Sequence, residues 1–282
     1  MTAGLSPGAL RAAAREAAAR ALAEDLAGYG DLAGGAFTEP GRARVEARAE
    51  GVLSGVTPFL EAARLVDPDL EVAFALDGGE RFGAGHTLAT LAGRQSSILA
   101  LERTGLNFLA RLSGIATLTA RYVAETAGSA AAIAATRKTT PGLRALEKQA
   151  VVDGGGSPHR FGLFDSAMIK DNHVAAAGGL TQAVAAVRAG LSHAHLLEVE
   201  VDTPAQLDEA LAAGVQVILL DNMDVAAVRA AVARTAGRAV LEVSGGVRLE
   251  LVREYAATGV DVISVGALTT AAPWIDLSLV VD

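Results

Sequence analysis

The chain has 282 residues and a formal charge of −8, long enough for one large α/β barrel or two ordinary domains and of the wrong sign for a nucleic-acid partner. No apolar run reaches the roughly 20 residues that span a bilayer. Arg11, Arg15, Arg20, Glu24 and Asp25 break up the only stretch that could serve as a signal peptide. With no cysteine, disulfides, thiolate nucleophiles and Cys-type zinc sites are excluded, and a soluble cytoplasmic α/β protein is the expectation.

Ser6-Pro7 ahead of an alanine-rich run to Leu26 has the N-cap and first-turn proline of a helix start. Gly28-Tyr29-Gly30-Asp31-Leu32-Ala33 matches a dinucleotide fingerprint in letters only. It follows a helix instead of a strand, so it reads as a connector. Strand-like residues follow from Arg44 to Gly51, then a short helix from Thr57-Pro58 to Val66. Leu70–Leu76 and Glu80–Phe82, joined by Asp77-Gly78-Gly79, read as a hairpin, and His86–Leu91 as a further strand. Two helices are expected between Ser96 and Ala127, with Leu99, Leu106, Leu109, Leu112 and Ile115 at helical spacing. Arg103 and Arg111 on this segment read as a solvated face.

After Gly128 the pattern alternates regularly. Short β-like runs lie at Ala132–Ala135, Ala167–Lys170, Leu196–Val201, Val215–Leu220, Ala239–Val243 and Val260–Val265. Helical segments near 180–189, 204–213, 225–235 and 249–258 end at Gly190, Gly214, Gly237 and Gly259, the residue type suited to a left-handed cap. Thr203-Pro204-Ala205-Gln206 is a capping box. Repeating βα units with apolar strands indicate a parallel sheet, first as a closed or nearly closed barrel and second as a doubly wound open sheet.

Barrels of this kind carry their sites at the C-terminal ends of the strands. Those ends are sorted by charge: Arg137-Lys138 and Lys170 on the first two, Glu200 and Asp221 on the third and fourth, Ser244-Gly245-Gly246 and Gly266 on the last two. His159 and Arg160 follow three glycines between the first two strands. The cations suit an anion with more than one carboxylate, because a guanidinium matches a carboxylate in bidentate fashion. Glu200 and Asp221 suit sugar hydroxyls or a hydrated Mg²⁺, and the glycines leave backbone amides open to a phosphate. A carboxylate-rich anion, a phosphorylated sugar and a divalent metal form a substrate set for phosphoribosyl transfer. Other readings stay open at single positions. Lys170 could be a Schiff-base lysine of an aldolase or decarboxylase. Glu198 could face another side of its strand and pair with a buried cation, and Asp153 reads as a turn residue. His193 and His195 precede a strand and read as surface groups.

The whole pattern resembles the quinolinate phosphoribosyltransferase family. The resemblance rests on EGVLSG at 50–55, RTGLNFLARLSGIAT at 103–117, TRKTTPGLR at 136–144, GGGSPHRFGLFDSAMIKDNH at 154–173, LEVEV at 197–201, LLDNM at 219–223, SGGV at 244–247 and ISVGALT at 263–269. It implies an N-terminal α/β sandwich over 1–112, which a tail at 270–282 can rejoin, and an open α/β barrel over 113–269. It implies a Mg²⁺-dependent reaction of quinolinate with phosphoribosyl pyrophosphate that gives nicotinate mononucleotide, pyrophosphate and CO₂. Arg137, His159, Arg160 and Lys170 match quinolinate-binding positions, with Lys138 beside them. Arg103 matches an arginine that reaches the site of the neighbouring subunit, which implies a homodimer at least. Glu200 and Asp221 match the acids near ribose and metal, and Ser244, Gly245, Gly246 and Gly266 the phosphate loops. Lys138, Lys170, Glu200 and Asp221 are thereby the expected catalytic residues. The chain departs from the pattern at Ala135, where Asp is usual, and at Gly30-Asp31-Leu32-Ala33, where a threonine usually ends the motif. A molybdenum-associated group shares the framework but typically lacks the lysine at the Lys170 position.

Overall fold

The computed structural model describes residues 4–282, which fall into two compact units. The first gathers 4–120, Lys138–Pro158 and Ala267–Asp282; the second gathers Arg121–Arg137 and His159–Gly266. The chain thus returns to the first unit twice, the second time with its C-terminal tail.

In chain order the elements are α1 (Pro7–Leu26), β1 (Pro40–Ala47), β2 (Gly51–Val52), α2 (Val56–Val66), β3 (Glu71–Phe74), β4 (Arg81–Phe82), β5 (Thr87–Arg94) and α3 (Gln95–Glu125). There follow β6 (Ala132–Ala134), α4 (Arg144–Asp153), β7 (Ala167–Ile169), α5 (Asp171–Ala177), α6 (Leu180–Gly190), β8 (Leu197–Val201) and α7 (Pro204–Ala212). The last are β9 (Val217–Asp221), α8 (Val225–Thr235), β10 (Val240–Ser244), α9 (Leu249–Ala256), β11 (Val262–Ser264), α10 (Ala267–Thr270) and β12 (Leu277–Val281).

The first unit is built on an antiparallel sheet in the order β12-β1-β5-β3, so the C-terminal strand closes its edge against β1. Its core sets Val45, Leu88 and Leu91 of the sheet with Phe59 and Ala62 of α2 and Ala14 and Ala18 of α1. Phe59 meets Phe74 edge-on, ring centroids 5.4 Å apart. The expected hairpin does not form. β3 joins β5 in this sheet, whereas β4 pairs with β2 in a separate two-stranded ribbon. The two helices expected over 96–127 are one, α3. Gly105 and Gly114 within it are points of close approach: a Cβ at Gly105 would lie 2.7 Å from the Phe59 ring, and one at Gly114 would overlap the Pro273 carbonyl.

The second unit is a six-stranded sheet in the order β6-β11-β10-β9-β8-β7, every strand pair parallel. Because β6 and β7 stand at opposite edges, the barrel is open. Register explains the site. Glu200 pairs with Leu219 and Leu219 with Glu242, while Met168 pairs with Glu198. One face therefore carries Met168, Glu198, Glu200, Asp221, Glu242, Ser244 and Ser264, the alternate residues of each strand. The other face carries Ile169, Val199, Val201, Ile218, Leu220, Val243 and Ile263, all buried. Burying each such side chain contributes roughly 1.5–3 kcal/mol. The Thr203 capping box forms as its sequence indicates, and Gly214, Gly237 and Gly259 take positive φ. Gly190 does not, and ends α6 as an ordinary helical residue.

Candidate active site

In the second unit the strand ends bring the expected residues together link by link. Lys170, just past β7, donates from its ammonium to Glu200 Oε2 at 2.6 Å. Its backbone amide donates to His173 Nδ1, so the lysine also caps the start of α5, a helix with no clear signal in the sequence. The Asp221 carboxyl is held above its ordinary value by burial and then by the charges of Glu200 and Asp202. Asn222 Nδ2 donates to Asp221 Oδ2 at 2.6 Å, and the Asn222 amide donates to the Ser244 carbonyl at 2.9 Å. Asn222 takes a left-handed φ of 52°, and Gly245 and Gly246 follow Ser244 with φ of 92° and 59°. A Cβ at Gly245 would collide with the Asn222 side chain, so β9 and β10 end in loops that interlock. Gly266 follows β11, whose end is tied to β6 by the Val265 amide donating to the Ala134 carbonyl.

Deeper in the same face lies a group whose members are far apart in the chain. His159, also at positive φ, places Nε2 3.0 Å from Glu242 Oε2 and 3.8 Å from Glu198 Oε2. Its Nδ1 accepts the Arg160 amide at 2.7 Å, so in the neutral ring Nε2 carries the proton and donates to Glu242. Glu198 does not turn to another side of the strand: residues two apart share a face, and Glu198 sits below Glu200, near His159 and Arg160. Burial, then the charge of Glu242, pushes its carboxyl up to about 7, against the pull of His159, Arg160 and Lys170. Arg160 donates to the Ser166 carbonyl and the Met168 sulfur, and burial plus the charge of Arg137 lower its hold on its proton. Among the described residues, Arg137 Nε and Glu198 Oε1 are buried and find no hydrogen-bond partner. An acid inside an otherwise apolar strand, as in Leu241-Glu242-Val243, is the sequence signal that could have flagged Glu242.

Two expected residues belong to the first unit. Arg103 is exposed on α3, with no hydrogen bond or ion pair among the described residues, and lines a cavity of about 450 Å³ with Glu24, Asp25 and Asn107. Lys138 follows Arg137 in sequence, its carbonyl held by Thr269 Oγ1 at 2.6 Å. Arg111 is no solvated residue. Its side chain is 17% exposed and bound to the fully buried Glu147. Asp153 is likewise not a turn residue: it ends α4, accepts from Ser54 Oγ at 2.6 Å and is pushed up by burial. His193 and His195 are exposed ahead of β8.

For a metal, Glu200 and Asp221 offer oxygen donors whose mutual repulsion a hard divalent cation would relieve. Such a donor pair is of the kind that would hold a hydrated Mg²⁺. Among the described residues, the three-ligand group whose donor atoms lie close enough for one ion is a different one, His159, Glu198 and Glu242.

Two family models cover nearly the entire chain: Quinolinate phosphoribosyl transferase, N-terminal domain, over residues 29–113, and its C-terminal domain over 115–280. The chain belongs to the quinolinate phosphoribosyltransferase family. The nicotinate-nucleotide pyrophosphorylase [carboxylating] of Mycobacterium leprae is 44% identical, over 95% of this chain and 96% of that one. The probable nicotinate-nucleotide pyrophosphorylase [carboxylating] of Synechocystis is 41% identical, over 92% and 89%. Among solved structures, the nicotinate-nucleotide pyrophosphorylase from Francisella tularensis superposes with a TM-score of 0.93 at 36% identity, covering 96% of this chain and 97% of that one. Among the described residues, no helix is long and apolar enough to cross a membrane.

Proposed function

We propose that this member of the family joins quinolinate to phosphoribosyl pyrophosphate and releases pyrophosphate and CO₂, leaving nicotinate mononucleotide for NAD biosynthesis. The observation that carries the reading is the single polar face of the parallel sheet, where Lys170, with Arg160 and Arg137, stands beside Glu200 and Asp221. One half suits a pyridine dicarboxylate and the other a pentose whose anomeric carbon becomes positive.

In this scheme Arg137, Arg160 and Lys170 hold the two carboxylates, with Lys138 next in the chain and His159 bracing Arg160 from below. The ring nitrogen forms a bond to the anomeric carbon as the bond to pyrophosphate breaks. Glu200 and Asp221 stabilise the positive charge that develops on the ribose. Ser244, Gly245, Gly246 and Gly266 receive the 5-phosphate through backbone amides. The bond to the carboxylate beside the ring nitrogen then breaks, CO₂ departs, and the carbon takes up a proton. Cations around the site stabilise the electron pair left behind. Glu200 and Asp221 would hold Mg²⁺ through water, and the ion would neutralise pyrophosphate charge. Holding two substrates in register is the largest contribution, up to roughly 7–11 kcal/mol in favourable model reactions.

Arg103 fits a role in a second copy's site, because it is exposed on α3 with no hydrogen bond or ion pair among the described residues. A homodimer is therefore part of the proposal. A Schiff-base role for Lys170 is the weaker reading, since its ammonium is engaged by Glu200. The test is incubation with quinolinate, phosphoribosyl pyrophosphate and Mg²⁺. Equimolar CO₂, pyrophosphate and nicotinate mononucleotide are expected, and no CO₂ release would overturn the reading.

A further inference from the structure

We propose that Arg111, Glu147 and Thr269 are positioning residues for Lys138, a role that rests on Lys138 acting in the transferase site. Past β6 the chain from Lys138 to Thr140 has no regular secondary structure, so its backbone groups must find other partners. They find them in a closed ring of hydrogen bonds. Thr269 Oγ1 donates to the Lys138 carbonyl at 2.6 Å. Two residues on, the Thr140 amide donates to Glu147 Oε2 at 3.0 Å and its hydroxyl to Oε1 at 2.8 Å. Glu147 is fully buried and needs a countercharge, which Arg111 supplies from Nε at 3.2 Å and Nη2 at 2.8 Å. The same guanidinium donates to the carbonyls of Thr269 and, at 3.2 Å, Ala272. The circuit Lys138–Thr140–Glu147–Arg111–Thr269 returns to Lys138 and grips the irregular segment at both ends.

A buried ion pair is a poor device for stability alone, because apolar side chains of similar volume usually do as well. Its use here is geometric. Every nitrogen of Arg111 is engaged, and both anchor points on the segment are set by directional bonds, so the backbone from which the Lys138 side chain extends has one place to be. The helix-face arginine thereby acts on Lys138 through two intermediaries.

Thr269→Val replaces the hydroxyl with a methyl group of similar size, and Thr269→Ser keeps it. In Thr269→Val, amides of 138–143 should exchange with deuterium faster than in the wild type, and kcat/KM for phosphoribosyl pyrophosphate should fall about tenfold, the worth of one lost hydrogen bond of about 1.4 kcal/mol. Thr269→Ser should restore most of both. In a Lys138→Ala background, Thr269→Val should cost less than about twofold more, as expected of residues acting through one another. Unchanged exchange in Thr269→Val, or the full penalty retained in the Lys138→Ala background, would overturn the proposal. If the wild type forms no nucleotide, the transferase reading and with it the catalytic role of the brace fall, while the exchange comparison still decides whether the ring holds the segment.

Discussion

The Lys170 ammonium, at the mouth of the parallel sheet, is 2.6 Å from the Glu200 carboxylate on the neighbouring strand. The lysine is 46% exposed, so the pair contributes at most about 1 kcal/mol to stability after solvent screening. Lys170→Met should therefore leave the melting temperature nearly unchanged. Turnover of quinolinate should fall on the order of 10²-fold or more, as expected when a group facing developing charge is removed. Parallel melting and steady-state measurements check this, and a large fall in melting temperature would mean that the pair is structural.

Gly245 and Asn222 make a second pair whose fit decides function. Gly245 has φ of 92°, and any Cβ there meets the Asn222 side chain, which in turn holds Asp221. Gly245→Ala should cost about 1–3 kcal/mol of stability through backbone strain. It should also raise KM for phosphoribosyl pyrophosphate about tenfold by displacing Asn222 and Asp221. The KM for quinolinate should move much less.

Glu61 in the first unit gives a pH prediction. It is fully buried and meets Arg11 at 2.7 Å, Arg15 at 3.4 Å and Arg64 at 2.6 Å. Burial pushes its carboxyl up, but hydrogen bonds from Arg11 and Arg64 and their charges pull it down, and the net lies below the ordinary 4.5. A carboxylate depressed in the folded state contributes stability that is full above its unfolded value and lost as pH falls through the folded one. The urea midpoint of the wild type should thus decline below about pH 4.5, and that of Glu61→Gln should start lower and decline less. Equal slopes for the two would contradict this role.

Much of the fold was legible because the βα units advertise themselves: Leu197-Glu-Val-Glu-Val alternates apolar and acidic residues, and Thr203-Pro204 starts a helix in the sequence as it does in space. The failures have physical causes. Gly105 and Gly114 lie inside one helix because a close neighbour excludes any Cβ, information that sits in Phe59 and Pro273, far away in the chain. Asp77-Gly78-Gly79 has turn chemistry, yet the choice of strand partner is made by β2 and β5. The strand ends pointed to a site through their sorted charge. Glu242 and the Arg111–Glu147 pair did not stand out, since a buried acid or arginine is recognised only by the partner that tertiary structure supplies.

Arg103 tests the assembly. Arg103→Ala and Lys170→Ala should each be nearly inactive alone. If the proposed homodimer forms, about one site in four should regain both residues after subunit exchange, since half the dimers are then mixed and each mixed dimer carries one intact site. Activity near a quarter of wild type is expected. No recovery, with exchange verified by mass spectrometry, would place Arg103 outside a shared site.

The most direct measurement compares quinolinate with nicotinate as acceptor, at saturating phosphoribosyl pyrophosphate and Mg²⁺. Nicotinate lacks the second carboxylate, so part of the cation group formed by Arg137, Arg160 and Lys170 would be left without its counter-anion. Turnover and CO₂ release are expected with quinolinate, and kcat/KM for nicotinate should be lower by about 10³-fold or more. Comparable turnover of nicotinate, or consumption of quinolinate without CO₂, would contradict the proposed reaction.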